Sequence, residues 1–138
     1  MKVRAKIKGR KVVEGWYCYS KKQDQHFIIQ CDDGLSLGPN ILYFWGTAEN
    51  SWFCVIKIDI STAAVETGKL DKHDKMIWGS KGQMQGGDKV RIHSKDKLEE
   101  IDFDAEWNER VSAWVFQQEG GVMSRFCSWN SDELEIIS

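Results

Sequence analysis

The chain has 138 residues, a formal net charge of -2, 41% hydrophobic and 29% charged residues, and seven tryptophans. That composition excludes a disordered chain and sets the size at one domain, or two very small subdomains, able to bury roughly two-thirds of its unfolded surface. The longest apolar runs, ILYFW and WFCVI, reach only about five residues where a membrane helix needs about 20, and the amino-terminal MKVRAKIKGRK lacks the hydrophobic block of a secretion signal.

Val3, Ala5 and Ile7 alternate with Lys2, Arg4, Lys6 and Lys8, the period of two that marks a strand with one buried and one wet face. Gly9-Arg10 offers a turn, and VVEGWYCYS, rich in β-branched and aromatic residues, reads as the second strand of a hairpin. HFIIQC is a third strand, closed by Asp32-Asp33-Gly34. The single proline, Pro39, punctuates the chain before ILYFW, and SWFCVIKIDIS is the strongest strand, expected near the centre of a sheet. TAAVETG is either a strand end or one helical turn. The following TGKLDKHDKMIW reads as a turn, a charged reverse turn at Lys72 to Lys75, and a short strand ending at Trp78.

DKVRIH is again a strand, and EEIDFDAEW alternates strictly, with Ile101, Phe103, Ala105 and Trp107 on one face and Glu100, Asp102, Asp104 and Glu106 on the other. VSAWVF, VMSRFCSW and LEII follow, separated by turn residues. Five short strands in about 50 residues suggest a small SH3-like barrel or a strongly curved sheet. The expected fold is therefore mostly β with little helix, one compact unit. It consists of an N-terminal antiparallel sheet over residues 1–66, a glycine-rich connector over 67–87, and a C-terminal SH3-like β subdomain over 88–138.

Residues that carry chemistry are sparse. Cys18, Cys31, Cys54 and Cys127 are widely spaced with no CxxC, so they read as reduced, buried small hydrophobes in a cytosolic chain. His26, His73 and His93 show no HxxxH or HExxH spacing. The row Glu100 to Glu106 has the residue types of a hard-cation or acid-base site, but a solvent-facing strand also needs polar residues there, and the basic first strand is its expected electrostatic partner. GSKGQMQGGDK lacks the GxxxxGK[ST] of a phosphate loop and precedes no helix pattern. Most tryptophans are expected in the core, with one or two exposed rings marking an interface. No catalytic, metal or cofactor-binding residue is assigned.

Charge is polarised along the chain: residues 1–22 carry eight Lys/Arg against one acid, and residues 99–138 carry ten acids against two Arg. Opposite blocks in one small fold favour pairing with each other or with a second copy. A nucleic-acid role for Lys2, Arg4, Lys6, Lys8, Arg10 and Lys11 is possible but not favoured.

Thr67-Gly68, Asp71-Lys72-His73-Asp74-Lys75, Ile77-Trp78 and Gly87-Asp88 with Val90 together resemble the signature of the YopX protein family of phages and prophages. The opening KVRAKIKGRKVVEGWYCYS and the closing DELEIIS are also similar to that family, whereas GSKGQMQ is inserted between Trp78 and Gly86. The resemblance implies a mostly β, phage-borne protein with no assigned enzymatic activity, in which Thr67, Gly68, Asp71, Trp78, Gly87, Asp88 and Val90 are structural. The expectation that follows is a non-enzymatic accessory protein in the cytoplasm of the bacterial host. It would bind a host or phage macromolecule as a homo-oligomer, with Lys2, Arg4, Lys6, Lys8, Lys81, Gln83 and Met84 as partner-binding residues and no membrane association. The alternative is a small-molecule or nucleotide-sequestering protein with its site between subunits.

Overall fold

The computed structural model describes residues 1–7, 12–32, 41–46, 52–93, 101–118 and 120–137. The protein is mostly β, with antiparallel strands and three single-turn 3-10 helices, and no α-helix among the described residues. The chain divides into two compact units, Met1–Ala63 and Ala64–Ser138.

The first unit contains β1 (Lys2–Lys6), β2 (Val12–Ser20), β3 (Gln25–Asp32), β4 (Ile41–Gly46) and β5 (Trp52–Lys57), in the order β4-β5-β3-β2-β1. β5 lies between β4 and β3, the interior position expected of its β-branched sequence. The period-two pattern of β1 is realised directly: Val3 and Ala5 are buried opposite Gly15 and Val13, while Lys2 and Lys6 point outward. With Ile28, Ile56 and Ile58 these residues form the apolar side of the unit. Each fully buried Val or Ile contributes about 1.5–3 kcal/mol. Gly15 is required by proximity: a methyl group there would lie 2.6 Å from both Ile28 Cγ2 and the Ile29 carbonyl oxygen.

The second unit begins with a hairpin of β6 (Ala64–Leu70) and β7 (Met76–Gly79). A sheet in the order β11-β10-β9-β8-β12 follows, built from β8 (Lys89–Ile92), β9 (Ile101–Asn108), β10 (Ala113–Gln117), β11 (Met123–Arg125) and β12 (Leu134–Ile136). Ile77, Val90, Ile92, Phe103, Ala105, Phe116, Phe126 and Leu134 pack into one core cluster, in which the Phe116 and Phe126 rings stack 4.2 Å apart. β11 and β12 end the strand order, so the closure into an SH3-like barrel expected from strand spacing is not made among the described residues.

Residues 67–87, read from sequence as a connector, fall inside this second unit. They form the β6–β7 hairpin and a tight turn in which Lys81 and Met84 bridge, with Gly82 at a φ of +58°. VMSRFCSW is split between β11 and a 3-10 turn at Phe126–Ser128. In TAAVETG the helical turn and the strand both occur in part, as Ile60–Thr62 is 3-10 and Ala64 opens β6.

Candidate functional sites

The residues of the central motif converge on main-chain groups. Asp71, 1% exposed, accepts through Oδ1 from the His73 and Lys75 N–H groups at 2.8 and 3.0 Å, and through Oδ2 from the Ile136 N–H at 3.2 Å. The Lys72 N–H donates to the Leu134 carbonyl at 2.8 Å, so the charged turn is also joined to the main chain of β12 there. Burial opposes ionisation of Asp71, but the N–H groups of Lys75, Ile136 and His73, with the His73 ring nearby, outweigh it and hold the carboxyl below its ordinary range.

Asp88, also buried, accepts the Trp78 N–H at Oδ2 (2.9 Å) and donates its own N–H to the Trp78 carbonyl (2.7 Å), while its carbonyl accepts from the Ala105 N–H (3.0 Å). Gly87 fits where no side chain can: an added methyl would lie 2.5 Å from the Ser80 nitrogen and 2.8 Å from the Ala105 oxygen. Thr67 Oγ1 donates to the Ile77 carbonyl at 2.7 Å, Gly68 takes a φ of +82° at the β6 irregularity, and Trp78 and Val90 are buried. All seven motif residues therefore bind main chain, shape a turn or fill the core.

A second cluster surrounds Glu135 on β12. Its Oε2 lies 2.9 Å from Lys72 Nζ and 3.4 Å from His73 Nε2, and its Oε1 lies 3.5 Å from His93 Nε2. Hydrogen bonds from Lys72 and then His73 outweigh partial desolvation and lower its pKa to about 2. A carboxylate so stabilised is a poor base near neutral pH; its role here is to gather two histidines and a lysine about the strand. In the first unit His26 Nδ1 is 2.5 Å from the Tyr17 hydroxyl, with the Tyr19 ring 4.8 Å away. No group of three or more His, Cys, Asp or Glu able to hold a metal ion occurs among the described residues.

The acidic face of β9 finds its partner within its own sheet. Asp104 lies in register with Lys89 and Asp102 with Arg91, whose Nε is 2.9 Å from Asp102 Oδ1. Within the chain the basic neighbour is thus β8, where the sequence suggested the first strand of this or another subunit. Glu106 is shifted upward by burial and by Asp104, while Glu100 lies outside the described residues.

Of the expected partner-binding residues, Lys2, Arg4 and Lys6 share the outer face of β1 with Trp16, Glu14 and Val12 opposite them on β2. Trp16 is 62% exposed, and Val12 and Tyr19 are exposed as well. Lys8 lies outside the described residues. Gln83 is exposed at the turn tip, whereas Met84 is buried at 5% exposure and Lys81 Nζ sits 4.6 Å above the Trp107 ring. Met84 is therefore removed from the partner-binding set, because the turn directs its side chain inward. Cys18 and Cys127 are exposed free thiols, contrary to the expectation of buried ones.

The second unit also carries a groove of about 440 Å³ that sequence reading did not anticipate. Trp107, Trp114 and Phe126 line it, with Lys69, Arg125 and Cys127 at its margins. Trp107 and Trp114 face each other in register across β9 and β10 and meet edge to face, 5.5 Å between centroids. Trp114 lies over Gly79, where an added methyl would be 2.3 Å from the indole. Lys69 Nζ is steadied by the Trp129 carbonyl at 2.6 Å, and Trp129 Nε1 donates to Ser124 Oγ. The groove lining contains two cations, Lys69 and Arg125, and no carboxylate. No family model, curated protein or solved structure matches the chain.

Proposed function

We propose that this chain is a non-enzymatic, YopX-like accessory protein of a phage or prophage. It acts in the host cytoplasm by binding a host or phage protein, and it self-associates. The observation that carries the binding role is the outer face of β1 and β2, where Trp16 is 62% exposed directly opposite Lys2, followed along the face by the Arg4–Glu14 and Lys6–Val12 pairs. A large exposed ring beside flexible cations is the composition of a contact surface: aromatic area supplies affinity, and charge supplies steering and orientation. The partner it suits has an acidic rim around an apolar patch. Acids of residues 99–138 of a second copy that β8 does not engage, such as exposed Glu109, meet the charge requirement, which is the basis for self-association.

The test is capture from host lysate with the intact protein as bait, beside a Trp16→Ala, Lys2→Gln, Lys6→Gln variant, together with light scattering at micromolar concentration. The expected result is a discrete protein retained by the parent and lost by the variant, and a mass above that of one chain. A monomer mass would remove self-association. Retention that is unchanged in the variant would remove this face as the binding surface. Nucleic acid recovered with steep salt dependence would replace the protein partner.

A further inference from the structure

We infer that the groove of the second unit is a binding site for a small anion that carries a planar base, of the nucleoside monophosphate class. The site lies wholly within one chain, and it is separate from the β1–β2 face. Three observations converge on that chemistry. The volume, about 440 Å³, is that of a site for one small molecule. The lining combines indole and phenyl surface with Lys69 and Arg125, the pairing of stacking area and cationic donors that a base and its phosphate require. The charge is one-sided, because the residues lining the groove include Lys69 and Arg125 and no acid.

The surroundings fix the two indoles in place. Trp114 rests on Gly79, the one residue type that leaves room for its ring, and Trp107 is covered by the Lys81 ammonium at 4.6 Å. Lys69 is positioned through the Trp129 carbonyl. In the inferred complex the base stacks on the indole surface that Lys81 leaves uncovered, and the phosphate accepts hydrogen bonds from Arg125, with Lys69 adding charge. The ligand is bound and not transformed, and no covalent step is involved.

Cys127 at the groove margin makes the inference directly testable, with exposed Cys18 in the first unit as an internal control. Iodoacetamide labelling of the full chain, mapped by mass spectrometry, is followed against increasing AMP, GMP, CMP and UMP. Saturable protection of Cys127, with Cys18 unaffected, is expected for at least one nucleotide, and weaker protection by the matching nucleoside or by ribose 5-phosphate. Arg125→Gln, at an exposed position, should weaken protection about tenfold without changing the circular dichroism spectrum.

Cys127 labelling unchanged by all four nucleotides at millimolar concentration would overturn the inference. So would protection that is equal in the parent, Arg125→Gln and Lys69→Gln, or protection by inorganic phosphate alone to the same degree. Protection by single-stranded oligonucleotides but not by mononucleotides would overturn it in favour of nucleic acid. Because Trp16→Ala leaves this groove untouched, the outcome is independent of the lysate capture.

Discussion

The two units are both antiparallel β, yet they are held together by different means. The first, Met1–Ala63, relies on apolar alternation and close approach: Val3, Ala5, Val13 and Ile28 on one side, with Gly15 letting β2 and β3 come together. The second adds two buried carboxylates, Asp71 and Asp88, that collect main-chain N–H groups from a turn and from strands distant in sequence. Apolar packing is tolerant of substitution and spreads its energy over many residues. A buried acceptor of several N–H groups concentrates it in one side chain, and its removal strands every donor at once.

The largest expected effect tests that contrast. Asp71→Ala leaves the N–H groups of His73, Lys75 and Ile136 without their acceptor and should destabilise the protein by about 3–5 kcal/mol, read from urea unfolding. Trp16→Ala on the first unit should change stability by less than about 0.5 kcal/mol. Equal losses from the two would break the comparison. Asp71→Asn, which can still accept at one oxygen, should fall between them.

The next effect sharpens it by pH. The carboxyl of Glu135 has its pKa lowered from 4.5 to about 2 in the folded protein. A lowered carboxylate pKa gives stability that is complete above the unfolded value and is lost as protons bind on the way down to the folded one. The second unit should therefore loosen between pH 4.5 and about 2, with Asp71, lowered as well, acting in the same direction. Glu135→Gln should flatten that acid limb, as followed by hydrogen exchange of β12 amides, while first-unit amides respond equally in parent and variant.

The smallest effect concerns turns. Asp74 in the second unit and Asp24 in the first both have positive φ, 59° and 48°. Asp74→Gly should stabilise by about 0.5–1 kcal/mol in thermal unfolding, since glycine adopts that conformation without steric cost. Asp24→Gly should gain less, because Asp24 also accepts the Tyr19 hydroxyl, a bond that glycine cannot make.

Local periodicity made the strands readable. Alternation in β1 and β9 put Val3, Ala5, Phe103 and Ala105 inside, and the spacing from Thr67 to Val90 marked a structural segment. It did not say that Asp71 and Asp88 are buried acceptors, because their donors, Ile136 and Trp78, are assigned only by the tertiary path. Met84 was misjudged for a related reason: a polar, glycine-rich string resembles an exposed tip until its turn geometry is known. The groove was unreadable because its parts come from residues near 67, 107, 114 and 126, and only register brings Trp107 opposite Trp114. Gly79 beneath Trp114 was the one latent signal, a glycine at the end of a strand with no turn of its own to explain it.

The link from Asp71 to Ile136 has a kinetic corollary. Its partners are 65 positions apart, so closing the loop costs roughly 4 kcal/mol of chain entropy before the bond contributes anything. On a ribosome the aspartate emerges long before its distant donor and must remain hydrated in the interval. The hairpin it organises through His73 and Lys75 needs only local contacts, whereas the bond to β12 needs the chain between them to be in place. One carboxylate thus spans two ranges of the chain, a turn within four residues of it and a strand 65 positions away.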